Sequence, residues 1–354
     1  MKEIQYKTFS LQTHKKNWQL RRPNLCQFEL TFRCGIYCKH CCTDCYNKPD
    51  YIKKELKTKD VKFILDKVYK AGVIWVFFTG GDPLMREDFL DIYSYAKDKG
   101  FIITIFTSAY SMTKEIANYL KKRPPFAIEI TLNSVTGDVY EKISQVKGSF
   151  DRVMHGIRVI LKAELPLKIK TQVTKENLKQ IPMIKDFIKG LGLRFYPNWN
   201  LCARLNGDLA PCNLRISPEQ VLGLNGRVKT DCLSESSKPN GLNGPNGLNK
   251  YNNPLFRCAI GGGDGIFLDP YGNMFLCSLI RKPAFNLLET DVLYSANELL
   301  FLVRGKKFAT DSKCNGCNLR ELCLWCPGKA LIETGDEEIP SKYYCELAHL
   351  IAKK

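Results

Sequence analysis

Six short runs rich in β-forming residues alternate with longer segments of helical period between residue 25 and about residue 200. Such alternation is typical of βα units, in which each strand of a parallel sheet is followed by a helix that packs on the sheet. Six strands are fewer than the eight of a complete barrel. The sequence therefore predicts an α/β fold with a partial (β/α)6 TIM-like barrel. The strand candidates are Leu25–Phe32, Val73–Thr79, Phe101–Thr107, Phe126–Leu132, Leu167–Val173 and Arg194–Leu201.

Apolar stripes at helical spacing lie between these runs. The first predicts a helix with Thr58 as its N-cap and Gly72 just past its end. Another ends before Gly100, and a third begins at Phe150. We expect all three stripes to face the core, against the sheet.

Composition places the chain among globular proteins: its 354 residues are 44% hydrophobic and 25% charged. The N-terminus carries charges throughout and has no apolar signal core, and no stretch approaches the roughly 18 apolar residues of a membrane span. We therefore expect a cytoplasmic protein without membrane contact. Sixteen cysteines in a reducing compartment are expected to bind metal rather than to form disulfides.

The formal net charge of +17 would attract acidic peptides, nucleic acid or membrane surfaces. The lysines are spread along helical faces instead of being concentrated in one run. This distribution favours a solvated surface, so nucleic acid is not an expected partner.

Three cysteines, Cys34, Cys38 and Cys41, follow the first strand candidate with the spacing C-x3-C-x2-C. A cubane cluster has four irons, so three thiolates leave one iron open to a small molecule. The carboxyl end of a barrel strand is also where such folds place their active sites. A zinc knuckle or a set of buried free thiols is the alternative that these cysteines alone leave open.

Gly80, Gly81, Asp82 and Pro83 directly follow the second strand candidate. A glycine pair at a strand end lets the backbone approach a ligand closely, and proline fixes the exit from the turn. Taken alone, this segment would be an ordinary turn.

The two motifs together resemble those of radical S-adenosylmethionine (SAM) enzymes with a C-terminal SPASM domain, and the resemblance runs from Cys26 to Cys345. It implies that Cys34, Cys38 and Cys41 bind a 4Fe-4S cluster whose open iron chelates SAM. It also implies that Gly80–Pro83 stands for the family's Gly-Gly-Glu-Pro motif, which holds the SAM amino group, with Asp82 in the glutamate position.

The resemblance implies further SAM contacts at two later strand ends. Ser108, after Thr107, lies where the family often has Thr-Asn-Gly. Ser134, after Asn133, lies where a hydroxyl could reach the SAM carboxylate, although an ordinary helix cap would also explain it. Many relatives carry an arginine near position 145 for the SAM carboxylate. This chain has Gln145 there, and Lys142 or Lys147 could take the place of the arginine.

The C-terminal cysteines resemble the seven-cysteine SPASM pattern, which holds two auxiliary 4Fe-4S clusters. Carried over by position, these seven cysteines divide into two ligand sets, one for each auxiliary cluster. The spacing from Cys323 to Cys326 is C-x2-C where the family has C-x3-C, and a C-x2-C pair would also suit structural zinc. The first set is Cys258, Cys277 and Cys326, and the second is Cys314, Cys317, Cys323 and Cys345.

The first auxiliary site lacks an assured fourth ligand, because the position used by some relatives is Asn252 here. Cys232, Cys212 or Cys202 could supply it, or one iron could stay open. Sulfatase-maturing relatives place an aspartate directly after the equivalent of Cys277, and the residue here is Ser278, which argues against formylglycine formation.

Four segments are predicted along the chain. They are an N-terminal extension over 1–24, the radical SAM partial barrel over 25–201, a linker with a mobile loop over 202–256, and the SPASM domain over 257–354. The loop prediction rests on the Asn-, Gly- and Pro-rich composition of Ser236 to Pro254.

The resemblance implies an enzyme that modifies a ribosomally made peptide by crosslinking, epimerisation or backbone excision. The expected partners are a precursor peptide, a separate leader-recognition protein, and an electron donor such as flavodoxin or ferredoxin. The alternatives are a cofactor-pathway enzyme acting on a quinone or tetrapyrrole, and a zinc protein that binds nucleic acid. The residue that quenches the product radical is not assigned.

Overall fold

A twisted sheet of nine strands forms the centre of the protein in a computed structural model that describes residues 5–20, 22–43, 46–224, 255–256, 265–320 and 322–353. The strand order is β6-β5-β4-β3-β2-β1-β7-β8-β9, and β1 to β6 run parallel to one another. The strands are β1 Leu25–Thr31, β2 Trp75–Gly80, β3 Ile102–Thr107, β4 Ala127–Thr131, β5 Leu167–Gln172, β6 Tyr196–Asn198, β7 Gly265–Leu268, β8 Asn273–Phe275 and β9 Phe285–Asn286.

Helices connect successive parallel strands and cover one face of the sheet. They are α1 Tyr6–Leu20, α2 Pro49–Ile52, α3 Thr58–Lys70, α4 Phe89–Asp98, α5 Lys114–Lys122, α6 Gly137–Ser144, α7 Ser149–Lys162, α8 Ile181–Gly190, α9 Pro218–Leu224, α10 Val292–Arg304, α11 Pro327–Thr334 and α12 Lys342–Ala352, with 3-10 turns at Pro83–Met85, Leu178–Gln180 and Cys212–Leu214.

The six strands predicted from the sequence are confirmed, and so is the partial α/β barrel that they form. The sixth strand is shorter than predicted and is restricted to Tyr196–Asn198. The predicted cap of α3 is wrong by one residue: Lys57 is the N-cap, and Thr58 begins the helix. The Thr58 hydroxyl instead donates to Asp88 at 2.6 Å, which ties α3 to the start of α4.

Side chains alternate between the two faces of the sheet. On β5, Leu167, Ile169 and Thr171 are buried against the helices, whereas Lys168 and Lys170 are exposed on the opposite face. The same alternation applies to the other parallel strands. The face away from the helices is the interior of the partial barrel, and we call it the inner face.

Helix α1 lies at the amino-terminal ends of the strands. The indole N–H of Trp75, the first residue of β2, donates to the Tyr6 hydroxyl at 3.0 Å, and His14 stacks on the same indole with ring centres 5.0 Å apart. Tyr6 also packs against Phe126, just before β4. Helix α1 thus covers the end of the barrel opposite the predicted active site.

The C-terminal part of the chain extends the sheet beyond β1. Strand β7 pairs with β1 in parallel, with Leu25 opposite Gly265 and Phe28 opposite Leu268. Strands β8 and β9 then continue the sheet in antiparallel pairing. Apart from Cys258, which lies outside the described residues, the predicted auxiliary-cluster ligands therefore follow β7 and β8, which extend the sheet from the first barrel strand.

The predicted mobile loop, Ser236 to Pro254, lies outside the described residues. In the part of the chain that is described, no helix combines the length and apolar character that crossing a membrane requires.

We predict that Trp75→Ala lowers the free energy of unfolding by about 3–5 kcal/mol, because the indole is only 4% exposed under α1. Denaturant unfolding under anaerobic conditions measures this loss. Phe301→Ala on α10 is the control: its ring is 77% exposed, so the expected change is within about 0.5 kcal/mol. Equal effects of the two variants would contradict the packing of α1 on the barrel.

Candidate functional site

The three-cysteine loop leaves the carboxyl end of β1 and is anchored by backbone hydrogen bonds. The N–H groups of Tyr37 and Lys39 donate to the carbonyls of Ser144 and Ile143, at 2.8 and 3.0 Å, where α6 ends. The Asn47 side chain accepts from the Cys34 N–H at 3.0 Å and donates to the Cys34 carbonyl at 2.9 Å. The loop is therefore held from both sides by backbone groups and an amide side chain.

The thiols of Cys34, Cys38 and Cys41 are close enough to interact electrostatically. Burial, together with the neighbouring Cys41 and Cys34 sulfurs, raises the pKa of Cys38. Three thiolates in such a place need compensating positive charge, which an iron-sulfur core supplies. Thiolates are therefore the donor type that an iron-sulfur cluster requires. Among the described residues no three metal-binding side chains are placed so that they could hold an ion, so ligation by Cys34, Cys38 and Cys41 stays a prediction.

The loop after β2 runs in direct contact with the end of β1. The Gly81 N–H donates to the Thr31 carbonyl at 2.8 Å, and the Asp82 N–H donates to the Arg33 carbonyl at 2.7 Å. Gly80 has φ +133°, and a Cβ there would lie 2.0 Å from the Thr31 oxygen. Any side chain at Gly80 or Gly81 would push this loop away from the cysteine loop.

The buried Asp82 carboxylate ties the ends of β2 and β3 together. It accepts hydrogen bonds from the Thr107 hydroxyl, from the Ser108 N–H and hydroxyl at 3.0 and 2.5 Å, and from the Leu84 N–H at 3.1 Å. Burial raises the pKa of Asp82, and these hydrogen bonds oppose the rise. Asp82 and Ser108 thus lie together, as the resemblance implies, with their side chains bonded to each other.

Ser134 is fully buried at the end of β4. Its hydroxyl donates a hydrogen bond to the Gln180 side-chain oxygen at 2.6 Å. It accepts one at 3.0 Å from the N–H of Thr136, which is the N-cap residue of α6. Lys142, one of the substitutes for an arginine, pairs with Glu176 at 2.5 Å. The contacts of Gly80–Pro83, Ser108 and Ser134 with SAM therefore stay predictions.

The C-terminal cysteines form two groups among the described residues. Burial and then the neighbouring Cys323 and Cys317 thiols raise the pKa of Cys314 to about 11, and Cys345 contributes to the raised pKa of Cys323. Cys277 and Cys326 are also electrostatic neighbours. Cys258 lies outside the described residues, and the two predicted ligand sets stay predictions.

A buried ion pair, which sequence reasoning missed, joins the two cysteine regions. Both nitrogens of the Arg281 fork donate to Glu29, at 2.7 and 2.8 Å, and the guanidinium lies over Phe32 and Phe275. Burial raises the pKa of Glu29, and Arg281 opposes that rise. An acidic residue in an otherwise apolar strand is the one sequence signal that points to such a partner.

A second missed contact involves two cysteines outside the predicted ligand sets. Cys202, after β6, donates a hydrogen bond to Cys42, and this bond lowers the pKa of Cys42 to about 6. The Leu205 N–H donates to the Cys42 carbonyl at 3.0 Å, and Arg204 donates to the Cys41 carbonyl at 3.3 Å. The segment after β6 thus fixes the far end of the cysteine loop.

Comparison with known proteins identifies the class to which this geometry belongs. Residues 28–188 match the model of the Radical SAM superfamily. That stretch contains the cysteine loop, the glycine loop and most of the barrel. The chain carries a radical SAM domain over residues 28–188 and is an enzyme, and this domain implies a 4Fe-4S cluster and SAM as cofactors.

Two curated relatives differ in how much of the chain they match. An AdoMet-dependent heme synthase of Methanosarcina barkeri is 26% identical over 345 residues, which cover 91% of this chain and 96% of that protein. A PqqA peptide cyclase of Bradyrhizobium diazoefficiens is 26% identical over 156 residues, which cover 44% of this chain and 40% of that protein. The chain thus spans less than half of the cyclase and nearly all of the heme synthase.

A solved structure shares the fold over almost the whole chain. SuiB of Streptococcus suis, bound to its precursor peptide SuiA, superposes with a TM-score of 0.67 and 18% identity. The superposition covers 98% of this chain and 82% of SuiB. It confirms the fold, including the part that follows the barrel.

We predict that Gly80→Ala weakens SAM binding by about tenfold or more, because the new Cβ would collide with the Thr31 carbonyl and displace the loop. Equilibrium binding of SAM to the iron-loaded protein measures the effect. Gly100→Ala is the matched control: it also has a positive φ, +86°, but its Cβ would meet nothing within 4 Å. Equal SAM affinities in the two variants would contradict a role for the glycine loop.

Proposed function

We propose that this radical SAM enzyme reductively cleaves SAM and abstracts hydrogen from a ribosomally made peptide to install a crosslink, an epimerised centre or a backbone excision. The observation that carries the proposal is the likeness to SuiB with its precursor peptide, which extends through the C-terminal part of the chain. The cysteines after β7 support it, because several of them are electrostatic neighbours, as ligands of auxiliary clusters would be.

In this proposal, different parts of the described structure have different roles. Cys34, Cys38 and Cys41 would hold the cluster, and the absence of a Cβ at Gly80 and Gly81 lets the proposed SAM-binding loop pack directly against the cysteine loop. When bound, the cluster and SAM together supply a 5′-deoxyadenosyl radical. The closed amino-terminal end under α1 leaves the carboxyl-terminal side and the β6 edge as the approaches for a substrate.

The auxiliary ligand sets belong to the proposal as well. Cys277 and Cys326, with Cys258, would hold the first auxiliary cluster, and the group of Cys314, Cys317, Cys323 and Cys345 would hold the second. The proposed partners are a precursor peptide, a leader-recognition protein and a flavodoxin or ferredoxin as electron donor.

A tetrapyrrole is the second candidate substrate. The match to the AdoMet-dependent heme synthase favours it, because that match runs through 91% of this chain while the peptide cyclase matches 44%. Both candidates use the same radical and differ only in what enters the barrel.

One experiment separates the two candidates. The anaerobically reconstituted enzyme is incubated with SAM, a reductant and either a precursor peptide encoded near its gene or an iron coproporphyrin, and products are analysed by mass spectrometry. We expect 5′-deoxyadenosine release to rise with the peptide, together with a mass change in it. Stimulation by the porphyrin alone, with decarboxylated product, would replace the first candidate by the second; release with neither would refute both.

We predict that replacing Cys34, Cys38 and Cys41 by alanine removes about four irons per chain and abolishes 5′-deoxyadenosine release, while the auxiliary iron remains. Iron analysis and the visible absorption spectrum measure the loss. Cys26→Ala is the control, because that thiol is buried on the helix side of β1 and should keep all the iron. Full iron content in the triple variant would contradict the assigned ligands.

A further inference from the structure

The inner face of the barrel becomes more exposed from β1 toward β6. Glu29 on β1 is 5% exposed, whereas the side chains of Lys168 and Lys170 on β5 are 44% and 48% exposed. Tyr196 on the edge strand β6, opposite Lys170, is 37% exposed. The more accessible part of the interior is therefore the side formed by β5 and β6. Lys168 lies toward the end covered by α1, with its ammonium 5.6 Å from the Phe126 ring centre, and Lys170 lies nearer the carboxyl ends of the strands.

Cations outnumber anions on this accessible side. Glu129 on β4 lies opposite Lys168, and its carboxylate contacts the ammonium groups of both Lys168, at 3.6 Å, and Lys170. Arg194 adds a guanidinium 5.1 Å from the Tyr196 ring centre. Glu129 contacts two of these three cations, and Glu129, Lys168, Lys170 and Arg194 together carry an excess of two positive charges.

This excess is not explained by stability. Ion pairs of lysines that are nearly half exposed contribute only about 0–1 kcal/mol, so folding does not require them. The other ion pair on the inner face, Glu29 with Arg281, is buried and balanced. The two ammonium groups are exposed enough for a ligand carboxylate to bind them beside Glu129, and charge-assisted hydrogen bonds would hold it.

Aromatic rings border the cations and complete a binding surface. The Lys170 ammonium lies 5.1 Å from the Phe106 ring centre, and Phe106 packs against Phe77 with centres 5.4 Å apart. Such a surface suits a ligand that combines carboxylates with an apolar body.

We propose that Lys168 and Lys170, with Glu129 as an internal competitor, form the site that binds a carboxylate of the substrate inside the barrel. The inference rests on the proposed function, since it assumes that the substrate occupies the barrel interior. The carboxylate can come from an acidic peptide or from the acid side chains of a tetrapyrrole. In either case the lysines set the position of the substrate relative to the cysteine loop.

The test measures binding rather than turnover. Reconstituted holoenzyme is titrated with a glutamate-rich decapeptide and with coproporphyrin III, each compared with a neutral carboxamide analogue. We expect one acidic probe to bind about tenfold or more tightly than its neutral analogue. The probe that shows this preference identifies the source of the carboxylate. Absence of a preference for either acidic probe overturns the proposal.

Three variants test which side chains cause the preference for an acidic probe over its neutral analogue. Lys168→Met/Lys170→Met should abolish it, and Glu129→Gln should increase acidic-probe affinity by up to about fivefold, because the competitor is removed. Lys62→Met is the matched control: that lysine also pairs with a carboxylate, Asp91 at 2.8 Å, and lies 5.3 Å from the Tyr95 ring centre, but on the outer helices. A preference that survives in the double variant overturns the proposal.

SAM itself carries a carboxylate, so its affinity is measured in the same variants. We expect the SAM affinity of the double variant to be unchanged; a tenfold loss of SAM affinity with unchanged probe affinity overturns the proposal. The outcome is separable from that of the proposed function. If binding depends on the lysines but no turnover occurs, the proposed function is refuted and the carboxylate site is supported. If the double variant turns over substrate with unaltered KM, the proposed function is supported and the carboxylate site is refuted.

Discussion

The contact between the end of β1 and the loop after β2 determines the rest of the site. The backbone N–H groups of Gly81 and Asp82 donate to carbonyls of Thr31 and Arg33, and neither glycine position has room for a Cβ. Cys34 follows this contact directly, so its position depends on how closely the two loops approach. The Asp82 carboxylate then extends the same contact to β3 through Thr107 and Ser108. Three strand ends are thus held as one unit beside the thiols.

The parallel sheet was predictable because its first four strands are short, largely apolar runs and its fifth alternates apolar and polar residues, each next to helical stripes. The sixth, Tyr196–Asn198, lacks such a pattern, and its predicted bounds were too long. The site was predictable where spacing carries the chemistry, as in the cysteine loop and the glycine loop. Helix α1 was missed because the side chains that face the barrel, Tyr6, Phe9 and His14, are aromatic or polar rather than aliphatic. Hydrophobic periodicity does not detect such a face.

Contacts between distant segments could not be predicted, because they depend on how the chain closes in three dimensions. Glu29 and Arg281 are separated by 252 residues, and nothing local to either one specifies the other. The same holds for Cys42 and Cys202, which meet only because the segment after β6 returns to the cysteine loop. The excess of cations around Glu129 likewise becomes visible only when β4, β5 and β6 are placed side by side.

The pairing of β7 with β1 makes the C-terminal cysteine region part of the same hydrogen-bonded sheet as the barrel. Strand β1 is consequently a central strand rather than an edge, and it would expose its unpaired N–H and C=O groups if β7 were removed. The C-terminal region is therefore not a module that could be exchanged between enzymes at the linker alone. An insertion or fusion that preserves the barrel would also have to preserve the register of Leu25–Phe28 against Gly265–Leu268. These two short segments therefore have to be kept as a matched pair.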